Sequence, residues 1–132
     1  MASESENLVR RAFEAFASGD LDVAVELAHP EFEWTYLDPS VADPEPQVCH
    51  GRDELRYWIG RPSRQGLAFE LEEIVGYGDR ILVVTHAPGL DADRARQTGD
   101  RNFHVVSVRE GRIVALRACR SRNEAVEVAM VD

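Results

Sequence analysis

The chain contains no lysine: all 15 of its basic residues are arginine. That absence excludes a Schiff-base nucleophile, lysine-held pyridoxal phosphate and a GxxxxGK[ST] phosphate loop. Arginine keeps its proton at any working pH, so these side chains are anion clamps or surface charges and never general bases. Cysteine is nearly as scarce. Cys49 and Cys119 form neither a CxxC nor a metal-ligand spacing, and read as buried fillers rather than a bridge. The four histidines fall into no HxH or HExxH pattern, so no metal is expected. No apolar run approaches the roughly 18 residues of a membrane span. The opening Met1-Ala2-Ser3-Glu4-Ser5-Glu6 is acidic where a signal peptide is basic, so the expected location is cytoplasmic. A net charge of −9 argues against nucleic acid or an anionic membrane as partner.

What is present fits one domain over residues 1–132, large enough to bury a core without staples. Ser3-x-x-Glu6 predicts a capping box opening a first helix, whose apolar stripe runs through Leu8 or Val9, Ala12 and Phe13, then Phe16. Gly19 stops it and Asp20 caps a second helix that ends before Pro30. Phe32 to Leu37 reads as a strand. Asp38 to His50, holding Pro39, Pro44 and Pro46, reads as a loop, and Gly51-Arg52-Asp53-Glu54 starts a third helix with Leu55, Trp58 and Ile59 inward.

The second half changes period. Leu67, Phe69 and Leu71 alternate with polar residues, Ile81 to Ala87 returns, and Pro88 to Gly99 is a rim loop. Asn102 to Arg109 and Arg112 to Cys119 form a hairpin about Glu110-Gly111, and Asn123 is expected to cap a short closing helix. Helices followed by hairpin-connected strands give an α+β fold, a curved antiparallel sheet wrapped as a cone around N-terminal helices. Such a cone encloses an apolar hollow suited to a small hydrophobic molecule.

Six segments, in order, resemble the SnoaL-like polyketide cyclase group of the nuclear transport factor 2-like superfamily, which includes ketosteroid isomerases. They are Ala15-Phe16-Ala17-Ser18-Gly19-Asp20, His29-Pro30-Glu31-Phe32-Glu33-Trp34, Gly51-Arg52-Asp53-Glu54-Leu55, Gly78-Asp79-Arg80-Ile81, Val108-Arg109-Glu110-Gly111-Arg112-Ile113 and Arg117 to Ala125. The resemblance implies a cone-shaped domain and cofactor-free acid/base chemistry on a hydrophobic carbonyl or polycyclic compound. The same fold also serves as a non-catalytic ligand-binding or dimerisation module. Asp38 resembles the isomerases' general base, and Ala12 stands where their oxyanion tyrosine is. The cyclases' acidic residue on the last strand is matched by Ser121, and their tyrosine by Cys119.

From the residues themselves, a carboxylate such as Asp38 at the lip of an apolar hollow would be raised in pKa, as proton abstraction requires. An Asp-Pro pair also simply opens loops. His86 and His104 lie on predicted strands and are the candidate proton shuttles, or else structural histidines. Phe13, Phe16, Trp34, Tyr36, Trp58 and Phe69 are the expected lining, which doubles as core packing. Arg117 alternates with Ile113 and Ala115 and is expected to reach the ligand, as is Cys119. Val105 or Val114, with Leu116, on the outer face of the late strands lead to an expected homodimer.

Overall fold

Ser3 sets the first helix. Its Oγ accepts the Glu6 N–H at 3.1 Å and donates to Glu6 Oε1 at 3.3 Å, a reciprocal cap for α1 (Glu4–Ala17). Gly19 turns the chain at φ +83°, and Asp20 Oδ1 accepts the Val23 N–H at 3.3 Å to open α2 (Leu21–Glu26). The computed structural model describes residues 3–37, 45–64, 69–93 and 97–130, with backbone alone for 58–64, 90 and 93. Asp38 lies outside the described residues, as does the Trp58 side chain.

Strand β1 (Ala28–Tyr36) begins four residues before the predicted Phe32, because its start pairs with a strand from late in the chain, Ala28 opposite Ile113. Strand β2 (Gln47–His50) stands in the stretch expected to be loop throughout. The prolines stop at Pro46, and the four residues after it suffice to pair antiparallel with Glu33 to Tyr36. Helix α3 (Gly51–Arg64) follows at once, starting from Gly51 at φ +78°. Then come β3 (Glu70–Tyr77), β4 (Arg80–His86), β5 (Arg101–Arg109), β6 (Arg112–Cys119) and α4 (Arg122–Met130).

The described strands form one six-stranded sheet in the order β2-β1-β6-β5-β4-β3. Four pairings are antiparallel as expected, and β1–β6 is parallel, a neighbour relation reached only by the long excursion through α3 and the β3–β5 meander. At the β5–β6 hairpin, Glu110 and Gly111 both take positive φ (56° and 74°), matching the twist of a two-residue turn.

Helices α1, α2 and α3 pack on one face of the sheet and α4 on the other. That explains β4, where Ile81 to Thr85 are buried without a break. Ile81 and Val83 join the core under α1–α3, whereas Leu82 and Val84 pack with Ala125 and Ala129 of α4. Ser121, not Asn123, caps α4: its Oγ accepts the Glu124 N–H at 3.1 Å, while Glu124 Oε2 accepts the Arg120 N–H at 3.2 Å. Among the described residues, no helix is long and apolar enough to cross a membrane.

Between Ile113 and Ala115 the ladder slips. Val108 pairs with Ile113 but Ser107 pairs with Ala115, leaving Val114 as an extra residue in β6. A one-residue bulge sends every later side chain to the other face. Leu116 therefore lies inside, whereas Ala115, Arg117 and Cys119 lie on the α4 side.

The β4–β5 connection is braced by two aspartates. Asp91 accepts the Thr98 N–H (2.9 Å), the Thr98 hydroxyl (3.1 Å) and the Asp100 N–H (3.0 Å); Asp100 accepts the N–H groups of Gly89 (3.1 Å) and Asp91 (2.7 Å). These bonds, that from the Asp100 amide first, hold the Asp91 carboxyl below its ordinary range. A depressed carboxyl stabilises the folded loop above the ordinary carboxylate pKa and loses that contribution as pH falls through the depressed value. Asp91→Ala is expected to speed amide exchange at Thr98 and Asp100 by about an order of magnitude, leaving β4 and β6 amides unchanged. Uniform acceleration across the sheet would show that the brace is not local.

Candidate functional site

A partly open apolar hollow of about 110 Å³ lies between α1 and the sheet. The helix stripe supplies Ala12, Phe13 and Phe16, α2 supplies Ala24, and α3 supplies Leu55. Ala28, Phe32 and Trp34 come from β1, His104 and Val106 from β5, and Ile113 and Leu116 from β6. Period-two spacing puts Phe32 and Trp34, and His104 and Val106, on the same inward face.

Among the described residues of this wall, His104 is the only titratable group. Its ring stands 6.1 Å from that of Phe13, and its Nδ1 is buried. Phe69 closes one side, meeting Phe13 edge-on at 6.2 Å and Phe16 at 5.5 Å. Trp34 meets Tyr36 edge-on at 5.9 Å. So Phe13, Phe16, Trp34 and His104 line the hollow, while Phe69 and Tyr36 pack against lining rings.

The other expected site residues are elsewhere. His86 shares the face of Leu82 and Val84, not that of Val83; it lies opposite Arg101 and close enough to Glu72 to influence that carboxylate. The alternation within the apolar run of β4 decides this. Arg117 is exposed on the outer face beside Thr35 and Val105, and Cys119 is buried under α4. The bulge at Val114 places both there. Val105, expected to be exposed, is covered by α4. Phe32, Val106 and Leu116, which sequence reasoning did not single out as lining, belong to the wall. The signal for Phe32 was present, two residues before Trp34 on one strand.

Burial raises both thiols from the ordinary 9.0 to about 11, with Glu54 adding to the effect at Cys49 and Glu124 at Cys119. At pH 8 only about one thiol in a thousand is the reactive thiolate. Neither cysteine of the folded protein should therefore react with an iodoacetamide probe at pH 8, and both should react in denaturant. Rapid labelling of Cys49 in the native state would contradict the packing of β2. Among the described residues, no group of three His, Cys, Asp or Glu side chains is arranged to hold a metal ion.

Residues 9–116 match the SnoaL-like domain family, and the chain belongs to it. The structure is similar to a nuclear transport factor 2-like protein of unknown function from Burkholderia pseudomallei (TM-score 0.68, 22% identity, 98% of this chain and 100% of that one). It is also similar to a candidate polyketide cyclase from Sinorhizobium meliloti (0.65, 19%, 86% and 94%) and to TerC, solved with polyporic acid (0.67, 15%, 97% and 98%). At these identities the likeness is one of fold. No curated protein matches this sequence.

Proposed function

We propose that this domain takes a small, mostly apolar molecule bearing one polar group, such as a single-ring carbonyl compound, into the hollow under α1. One observation carries the reading: a wall of aliphatic and aromatic side chains that holds, among the described residues, a single imidazole, His104. An engineered cavity of about 150 Å³ accepts benzene. A hollow of about 110 Å³ thus has room for about one ring, and a polycyclic compound would extend out through its mouth. His104 is the group to hydrogen-bond a carbonyl there. That TerC was crystallised with polyporic acid supports ligand binding as a use of this fold.

Two outcomes follow from such binding. In the catalytic one, His104 passes a proton and Asp38 is the base, giving cofactor-free cyclisation, isomerisation or dehydration. In the other, the domain binds without turnover. Deuterium exchange at the α-carbon of a bound aryl ketone separates them: catalysis predicts protein-dependent exchange that His104→Phe and Asp38→Asn each reduce by about 100-fold or more. Binding with no exchange above buffer would make the domain a binding module. The homodimer loses its argument from Val105 and Leu116, since α4 covers one and the hollow takes the other.

A further inference from the structure

The face of the sheet opposite the hollow carries a groove of about 340 Å³ that the apolar-ligand reading does not use. It runs beside the end of α4, across β1, β6, β5 and the start of β4. Its polar rim is Thr35, Ser107, Arg80, Arg117 and Glu33, over a floor that includes Val105 and Val128. Strand register sets these in two adjacent rows. Arg80 lies opposite Ser107, Ser107 opposite Ala115 and Ala115 opposite Glu33; one step along, Val105 lies opposite Arg117 and Arg117 opposite Thr35.

Charge decides what the groove accepts. Arg56, Arg101, Arg109 and Arg122 each pair with a carboxylate, at 2.7 to 3.2 Å. Arg117, like Arg10, Arg11 and Arg112, has no carboxylate within ion-pair distance among the described residues, and of these four it is the one that lines the groove. Arg80 is half-buried and pinned, one Nη1 donating to the Val128 carbonyl at 3.1 Å, which leaves its remaining N–H groups available. The single acid, Glu33, is turned to His50, 3.3 Å from its Nδ1. A chain of net charge −9 therefore presents here two guanidinium groups and two hydroxyls against one carboxylate, a local excess of positive charge.

We infer that this outer groove is a second binding site, for a small organic carboxylate. The Arg117 fork grips the carboxylate side-on, Arg80 contributes from across the groove, and the Thr35 or Ser107 hydroxyl donates a further hydrogen bond. The hydrocarbon part of the ligand lies against Val128, which is half-buried at the groove's edge. The planar fork matches a carboxylate's two oxygens, and this apolar edge favours an organic acid over a bare inorganic anion.

The test is an NMR titration of the full chain with sodium benzoate, with sodium chloride at equal ionic strength as control. Shifts at Thr35, Ser107 and Arg117, saturating with benzoate and absent with chloride, are expected. Arg117→Gln should weaken this binding at least tenfold, and Thr35→Val severalfold. Ala12→Phe, which blocks the inner hollow, should leave it unchanged; that separates this site's failure from failure of the inner one. The proposal is overturned by shifts only at Ala12, Val106 and His104, by equal response to chloride, or by unaltered affinity in Arg117→Gln. Light scattering that shows a dimer covering Arg117 would also overturn it.

Discussion

Ala12→Phe should lose ligand binding by about 100-fold or more while the protein stays folded. Ala12 is buried on α1 and its methyl faces the hollow, so a phenyl ring there occupies the volume a ligand requires. Filling a void also recovers dispersion contacts that its walls lack. The substitution should therefore change stability by no more than about 1–3 kcal/mol, the range in which overpacking and cavity filling compete. Titration of an aryl ketone against wild type and variant, with thermal denaturation of both, reads the two effects separately. Unaltered affinity in a folded variant would place the ligand elsewhere.

The largest loss of stability is expected at Leu82. It is fully buried between the sheet and α4, in a cluster with Val84, Val105, Ala125 and Ala129. The α4 side of that cluster is alanine and valine, too short to close over a missing isobutyl group. Leu82→Ala should cost about 2–5 kcal/mol, near the upper end because the site collapses poorly. The native fold holds only some 5–15 kcal/mol in total. Because Leu82 faces away from the hollow, ligand affinity of the remaining folded protein should be unchanged. Denaturant unfolding with ligand titration below the midpoint measures both. A loss below about 1 kcal/mol would mean that α4 is not packed on β4.

How far the sequence carried the fold depends on the kind of signal. Caps and stops are local: Ser3, Gly19, Asp20 and the Glu110-Gly111 turn act within a few residues, and the structure has them where the sequence indicates. The helical stripe Ala12, Phe13 and Phe16 and the strand alternation through Trp34 likewise identified four of the twelve described residues that line the hollow. Strand β2 was hidden, because four residues beside prolines carry little period and pair only through contact with β1. Ser121 looked like a lost acid and is the cap of α4, a position where serine and aspartate serve equally.

The candidate site was legible to the same degree. His104 and His86 look alike in sequence, each in a strand among apolar neighbours, and only the face of the sheet distinguishes them. For β4, where both faces are buried, alternation has no polar partner to reveal which side is which. Arg117 and Cys119 were misplaced by one residue of register. Period two counted from Ile113 points them inward, and the extra residue Val114 reverses that count. No local feature of Ile113-Val114-Ala115 announces the bulge; it arises where β6 must satisfy β5 on one side and the parallel β1 on the other.

The hollow beneath α1 is the feature on which the functional reading stands. Titrating the protein with acetophenone while following the His104 ring and the methyl groups of Ala12, Val106 and Leu116 by NMR tests it most directly. Saturable shifts at all four, with none at Thr35 or Ser107, are predicted. No change at these positions up to millimolar acetophenone, with the ring of His104 insensitive to the ketone, would contradict it.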